Sequence, residues 1–285
     1  MRKQPLLTNV ESGILLIWRI LMKITAFPCL CADVFVETGE IRPGGEELNF
    51  AAHAAEFDGI EVSLIGAIGD DEYGNAVLAS IADKPVNTAG VRIDGRFVTA
   101  NNRIFLTADG DRYFKEDSWN GKILENFTLS DENKAEISRS DAVFTHFDTA
   151  CFGEVIELKK KYGFKLAVDF DVYRDFEDMK KYAPYIDFFL ISGEEEFLHY
   201  FKEFSLEYDG YFNMTLGANG SVTYHKGKEY RAKAVPVSEV IDTTGCGDSY
   251  HAGFVCEMLL GGDIQTAMKK GAEIASETLS HFGGF

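Results

Sequence analysis

From Met22 onward, short apolar runs alternate with stretches of helical periodicity, and this alternation constrains the fold more than any other feature. The runs at 24–28, 62–67, 142–147, 165–170, 188–191 and 211–216 are apolar and partly β-branched or aromatic. Such runs suit strands buried on both faces, because a strand wetted on one face alternates polar with apolar. Helical patterns lie between them at 46–57, 73–82, 152–162, 176–182 and 194–204, and two more follow near 249–260 and 264–280. Ser130-Asp131-Glu132-Asn133 predicts a further helix start. The order predicts an α/β layered fold, a mostly parallel sheet covered by helices.

Two segments break the pattern. Residues 34–41 and 92–115 are extended and mix polar with apolar side chains. An Asp109-Gly110 turn predicts a hairpin joining 103–107 to 112–114. Together these segments, about 34–42 and 92–116, predict a small β lid or interface beside the main sheet. Residues 224–230, centred on Lys226-Gly227, read as a second hairpin. Residues 22–285 read as one folding unit without a linker. The apolar stretch at 13–18 faintly resembles a signal peptide, but Arg19 interrupts it and no small-residue cleavage site follows. Residues 1–21 are therefore expected to form an extension outside the fold, with an amphipathic arm packing on a neighbour as the second reading.

Charge narrows the partners. Lysine and arginine total 28 against 46 aspartate and glutamate, a net charge of −18 that disfavours nucleic acid and anionic membrane surfaces. A local site can still oppose that sign and hold an anion. Cys29, Cys31, Cys151, Cys246 and Cys256 are scattered without a CxxC, which argues against a disulfide framework or a zinc site. Reduced thiols in a cytoplasm are the simplest expectation. No apolar run reaches the ~20 residues that span a bilayer.

Open α/β sheets bind ligands at the carboxyl ends of their strands. GxxxxGK[ST] is absent, which excludes a P-loop, and no GxGxxG follows the first strand, which ends Pro28-Cys29-Leu30-Cys31-Ala32-Asp33. The informative stretch is Asp242-Thr243-Thr244-Gly245-Cys246-Gly247-Asp248-Ser249. Two glycines flanking one small residue before an apolar helix can aim successive N–H groups into one concavity at the positive end of the helix dipole. A carboxylate at that edge repels a bound anion, yet it serves chemistry if it takes a proton from an attacking hydroxyl. Taken alone, the pattern suits a capped structural turn equally well.

Residues 241–254 closely resemble the C-terminal signature of the ribokinase/PfkB family of carbohydrate kinases. Gly44-Gly45-Glu46-Glu47-Leu48-Asn49 is similar to the family's double glycine with Asn four residues on. Gly69-Asp70-Asp71-Glu72-Tyr73-Gly74 and Thr215-Leu216-Gly217-Ala218-Asn219-Gly220 resemble two further family motifs. The resemblance covers residues 22–285 and implies a ribokinase-like three-layer αβα fold. It also implies an enzyme that transfers the γ-phosphoryl of ATP to a primary hydroxyl of a sugar.

By that resemblance Asp248 is the base, and Gly245, Cys246 and Gly247 supply N–H groups to the migrating phosphoryl. Asp33, Gly45 and Asn49 resemble sugar-hydroxyl contacts, and Thr215, Gly217 and Gly220 line the ATP site. Asp242 and Thr244 resemble ligands of a monovalent cation such as K⁺. Mg²⁺ is implied at Glu195 through a water, with Ser192 standing where the family has Asn. Asp169-Phe170-Asp171 with Arg174 departs from the family's D-x-N-x-R, which puts a phosphate contact by Arg174 in doubt. Cys246 replaces a common Ala, and at a helix N-terminus its thiol is expected to have a lowered pKa.

The departures, Val98-Thr99-Ala100 before the lid and the ending His281-Phe282-Gly283-Gly284-Phe285 resemble most the fructoselysine 6-kinases. Such a substrate carries an amine and a carboxylate, for which Arg103, Glu46, His146 and Asp148 are candidates. Fructose, ribose, 2-keto-3-deoxygluconate and nucleosides are alternative acceptors, and a non-catalytic sugar or nucleotide sensor is the alternative class. A homodimer through the lid strands is expected from their exposed edges.

Overall fold

The computed structural model describes residues 2–10, 13–106, 112–113 and 115–285, with backbone only for 2–20, 106 and 112–113. The Asp109-Gly110 turn lies outside the described residues. The strands run β1 Arg2–Val10, β2 Gly13–Ala26, β3 Cys31–Phe35, β4 Glu40–Gly44, β5 Ile60–Ile68, β6 Val86–Ile93, β7 Ala100–Leu106, β8 Arg112–Tyr113 and β9 Trp119–Asn120. They continue as β10 Ala142–His146, β11 Lys165–Asp169, β12 Phe188–Ser192, β13 Tyr211–Thr215, β14 Ser221–His225 and β15 Lys228–Ala232. The helices are α1 Glu46–Ala54, α2 Glu72–Ile81, α3 Lys122–Glu125, α4 Asp131–Ile137, α5 Phe152–Tyr162, α6 Phe176–Tyr182, α7 Leu198–Glu207, α8 Cys246–Leu259 and α9 Ile264–Thr278.

The main sheet has the order β15-β14-β13-β12-β11-β10-β2-β5-β6. From β13 through β6 every neighbouring pair is parallel, while β14 and β15 turn back antiparallel. Strand periodicity splits the core in two. Val143, Leu166, Val168, Phe189 and Ile191 pack with Phe152, Met179 and Phe201 of α5, α6 and α7. Their neighbours Phe144, Ala167, Phe188 and Leu190 pack on the other face with Leu48, Val77, Phe254 and Met268 of α1, α2, α8 and α9. This is the three-layer αβα arrangement that doubly apolar strands require.

Local chemistry sets the helix starts. Ser130 caps α4 in a capping box with Asn133, and Asp71 and Asp263 cap α2 and α9 through Gly74 and Thr266. The hairpin at 224–230 is β14–β15, and Lys226 and Gly227 both hold positive φ at its turn.

The lid is a second sheet of order β4-β3-β7-β8, with β9 on β7. Its strands depart from the expected bounds of 34–42 and 92–116: β3 starts at Cys31, β4 ends at Gly44, β7 starts at Ala100 and β9 lies at Trp119–Asn120. Residues 92 and 93 belong to β6, the edge of the main sheet, because β6 is half-wetted and lacks the continuous apolar run of a central strand. The predicted 194–204 helix begins as a 3₁₀ turn at Glu195–Phe197 before α7. Residues 2–10 and 13–21 supply β1 and the start of β2, which pair with each other antiparallel.

Candidate active site

β10, β11, β12 and β13 end side by side at His146, Asp169, Ser192 and Thr215. Their carboxyl ends face α8, whose first turn is Cys246-Gly247-Asp248 itself. The helix starts three residues earlier than its apolar pattern indicates. Gly245 precedes it in the left-handed region at φ 73, where an added Cβ would stand 2.5 Å from Gly284 Cα. Cys246 N–H turns back to the Thr243 carbonyl at 3.3 Å. Gly247 and Asp248 N–H, as first-turn donors, have no carbonyl within the helix to bond. Gly247 faces Ser192, whose Oγ lies 3.2 Å from Thr215 Oγ1.

Asn49 of α1 reaches the same point. Its Nδ2 donates to Asp248 Oδ2 at 2.7 Å, and its Oδ1 is buried with no donor among the described residues. Gly45 opens α1 at φ 112, and a Cβ there would stand 2.5 Å from the Cys29 carbonyl oxygen. The double glycine therefore lets the chain before β3 pass close under the helix carrying Asn49. Asp33 sits in β3 opposite Arg42 of β4.

Carboxylates crowd this centre. Ligand atoms of Asp169, Asp248 and His251 lie within 4.8 Å of one another, with His251 Nδ1 2.9 Å from Asp169 Oδ2. Burial and the Asp169 charge push the Asp248 carboxyl up to about 7. Burial works against a charged His251, but the Asp169 charge overcomes it and holds the imidazole above its ordinary value. A second group forms around Glu47, which is fully buried. Its Oε1 accepts from His146 N–H at 2.7 Å and lies 2.9 Å from His146 Nδ1, while Oε2 accepts from Cys29 N–H at 3.0 Å. Burial and the charges of Asp169 and Glu47 hold Glu46 well above the usual carboxylate range.

A cleft of about 690 Å³ opens at Asp169, whose carboxylate neighbours Asp248, while Asp248, Asn49 and Asp33 do not themselves line it. Glu46, Glu125, His146, Asp148, Asp169 and Asp171 line it together with Trp119, Phe147 and Tyr173, and among the described residues no lysine or arginine does. Glu46, His146 and Asp148, singled out in the sequence, therefore meet there. Arg103 does not line it; its guanidinium bonds the Asp117 carbonyl at 2.7 Å on the lid. Glu195 is also turned outward, 3.0 Å from Arg231. Arg174 donates to the Ser192 carbonyl at 2.5 Å, which fixes it beside the strand ends. Thr215 ends β13, and Gly217 and Gly220 form the turn into β14, where a Cβ on Gly220 would collide with the Ala232 carbonyl.

Two expectations change. The Cys246 thiol is not lowered: burial and the charges of Asp242 and Asp248 push it up to about 11. Asp242 also fits a monovalent cation poorly. One oxygen accepts from Thr244 N–H at 2.9 Å, and the other from Gly283 N–H at 3.1 Å and Arg42 at 3.4 Å, which places a guanidinium where a cation would sit. Sequence reasoning missed Glu47, Asp169 and His251 as members of the centre. Only spatial proximity unites them, although the spacing of Asp248 and His251 on one helix face was a usable signal.

A carboxyl raised toward neutral pH beside a helix N-terminus, at the carboxyl ends of a parallel sheet, is an arrangement that phosphoryl transfer can use. Residues 32–284 match the family model described as pfkB family carbohydrate kinase. The chain belongs to that family, and it is an ATP-dependent sugar kinase. A fructoselysine 6-kinase from Shigella flexneri is 29% identical over 262 residues, 90% of this chain and 96% of that protein. A fructosamine kinase from Bacillus subtilis is 27% identical over 93% of each. A ribokinase from Arabidopsis thaliana, solved with ribose and ATP, superposes with a TM-score of 0.80 at 19% identity, covering 93% of this chain and 94% of that one.

Proposed function

We propose that this kinase phosphorylates the 6-hydroxyl of fructoselysine or a closely similar sugar-amine, with Asp248 as the base. The observation that carries the substrate class is the carboxylate-lined cleft that reaches Asp248 through Asp169. Acidic side chains in the cleft suit the amine of such a sugar-amine, which fructose and ribose lack. The names of the two similar proteins support the same class.

In this reading the sugar hydroxyl attacks the γ-phosphorus, the bond to the ADP oxygen breaks, and the hydroxyl proton passes to Asp248. A carboxylate pushed up to about 7 is a base matched to neutral pH. The N–H groups of Gly247 and Asp248 hold the transferring phosphoryl, with Gly245 and Cys246 shaping the turn. Asn49, Gly45 and Asp33 form the sugar side, and Thr215, Gly217 and Gly220 the nucleotide side. The hydroxyls of Ser192 and Thr215 beside Gly247 would hold the waters of a bound Mg²⁺, and Glu195 would have to leave Arg231 to join them. Mg²⁺ supplies charge neutralisation of the phosphates when bound.

We read residues 1–21 as an extension and 22–285 as the kinase domain, cytoplasmic, with a homodimer formed through the lid edges. Light scattering tests that assembly, with a dimer mass expected and a monomer refuting it. The substrate is tested by kcat/KM for fructoselysine, fructose, ribose and 2-keto-3-deoxygluconate in wild type and Asp148→Asn. Fructoselysine is expected to lead and to lose that lead in the variant through a raised KM. Equal constants for fructose and fructoselysine refute the sugar-amine reading.

A further inference from the structure

We infer that residues 282–285 act as a strap that sets the Asn49 carboxamide against Asp248, with Gly284 as the positioning residue. The inference rests on the reading of Asp248 as the base. Gly284 touches both halves of the centre. An added Cβ there would stand 2.6 Å from Asn49 Cγ and 2.8 Å from Asn49 Nδ2, and would overlap Asn49 Oδ1. On its other side Gly284 Cα is the atom that excludes a side chain from Gly245. Gly284 is not among the positive-φ residues, so its lack of a side chain answers a demand for space and not for backbone conformation.

The segment is anchored at each residue. Phe282 covers the Arg42 guanidinium, 4.7 Å from its ring centre, while Phe35 of the lid covers the opposite side at 4.3 Å. Gly283 N–H donates to Asp242 Oδ2, and Arg42 reaches the same oxygen. The Gly284 carbonyl oxygen lies 2.7 Å from His53 Nε2, one turn beyond Asn49 on α1. Phe285 packs against the core face that carries α1, α2, α8 and α9. The strap thus ties the lid, the Asn49 helix and the glycine turn to one short piece of backbone. An Asn amide has two ends of opposite polarity, and only one of them can donate to a carboxylate. The Gly284 backbone fills the space into which that amide would otherwise swing.

The test is ADP release with Mg²⁺-ATP and fructoselysine, or with water as acceptor if fructoselysine is refused, in a double-mutant cycle of Gly284→Ala and Asn49→Ala. Gly284→Ala is expected to lower kcat about tenfold to a hundredfold, the effect of displacing a reacting group by about an ångström. KM for ATP should stay unchanged. In the Asn49→Ala background the same change should cost less than about twofold, because the group it displaces is gone. An unchanged kcat in Gly284→Ala, or the same loss in both backgrounds, overturns the inference. If Gly284→Ala fails to fold by circular dichroism, His53→Leu, which releases the Gly284 carbonyl, is held to the same two criteria. Activity surviving in Asp248→Asn would sink the base reading itself; an inactive Asp248→Asn with an additive cycle sinks only the strap.

Discussion

Replacing Asp248 by Asn should abolish turnover and stabilise the protein, and the gain should depend on pH. The folded carboxyl lies at about 7 against an ordinary value of 3.8. Between those values the unfolded chain has released a proton that the folded chain keeps, so wild-type stability falls as pH rises through the window and levels off above 7. The loss approaches about 1.4 kcal/mol per pH unit and, flattening toward the midpoint, comes to roughly 2.3 kcal/mol from pH 5 to pH 7. Partial access of water to the carboxylate reduces this to about 2 kcal/mol, equivalent to roughly 4 °C in Tm for a chain of this size. Asn keeps the shape and cannot ionise, so it escapes the loss. Urea unfolding of both proteins at pH 5, 6, 7 and 8 reads the difference, and subtracting them cancels groups that Asp248 does not touch. The stability advantage of Asp248→Asn should grow by about 2 kcal/mol from pH 5 to pH 7 and then stay flat. An advantage that is constant or shrinks over that range refutes the argument that burial and Asp169 load this carboxyl.

The same carboxyl should give the kcat profile an acid limb with its midpoint near pH 7, since the protonated form cannot accept the sugar proton; a rate flat from pH 5.5 to 8 would contradict this. Gly45→Ala forces a side chain to φ 112 and against the Cys29 carbonyl, so urea unfolding should show a loss of about 1–3 kcal/mol, with a raised sugar KM. Glu47→Gln leaves one donor facing another among Cys29 N–H and His146, and should cost about 1–3 kcal/mol by the same assay. Iodoacetamide at pH 7.5 should inactivate slowly, because little of the Cys246 thiol is ionised, and Cys246→Ala should keep wild-type activity within about threefold.

The central strands were legible because burial on both faces leaves a continuous apolar run, as at Phe188–Ser192, and the turn glycines were legible because no other residue fits them. The edge strand Val86–Ile93 was not legible, since a strand packed on one side carries the mixed composition of a loop. Within the site, Asn49 and Asp248 stand in recognisable local patterns, and the structure joins them across 199 residues of chain. Glu47 and Asp169 lie within quoted motifs without being marked there as members of the centre, and His251 shows only its helical spacing from Asp248. Their role depends on which strand ends meet, and a single sequence does not print that. Cys246 shows a rule applied without its surroundings: the helix terminus favours a thiolate, but burial and two neighbouring carboxylates raise the thiol.

The most direct measurement is ADP release by the purified protein with Mg²⁺-ATP and fructoselysine, run beside Asp248→Asn. The account predicts sugar-dependent release in wild type, a product carrying one phosphate on a primary hydroxyl, and loss of turnover in the variant while ATP still binds. Release that persists undiminished in Asp248→Asn would contradict the assignment of the base, and with it the mechanism built on the glycine turn.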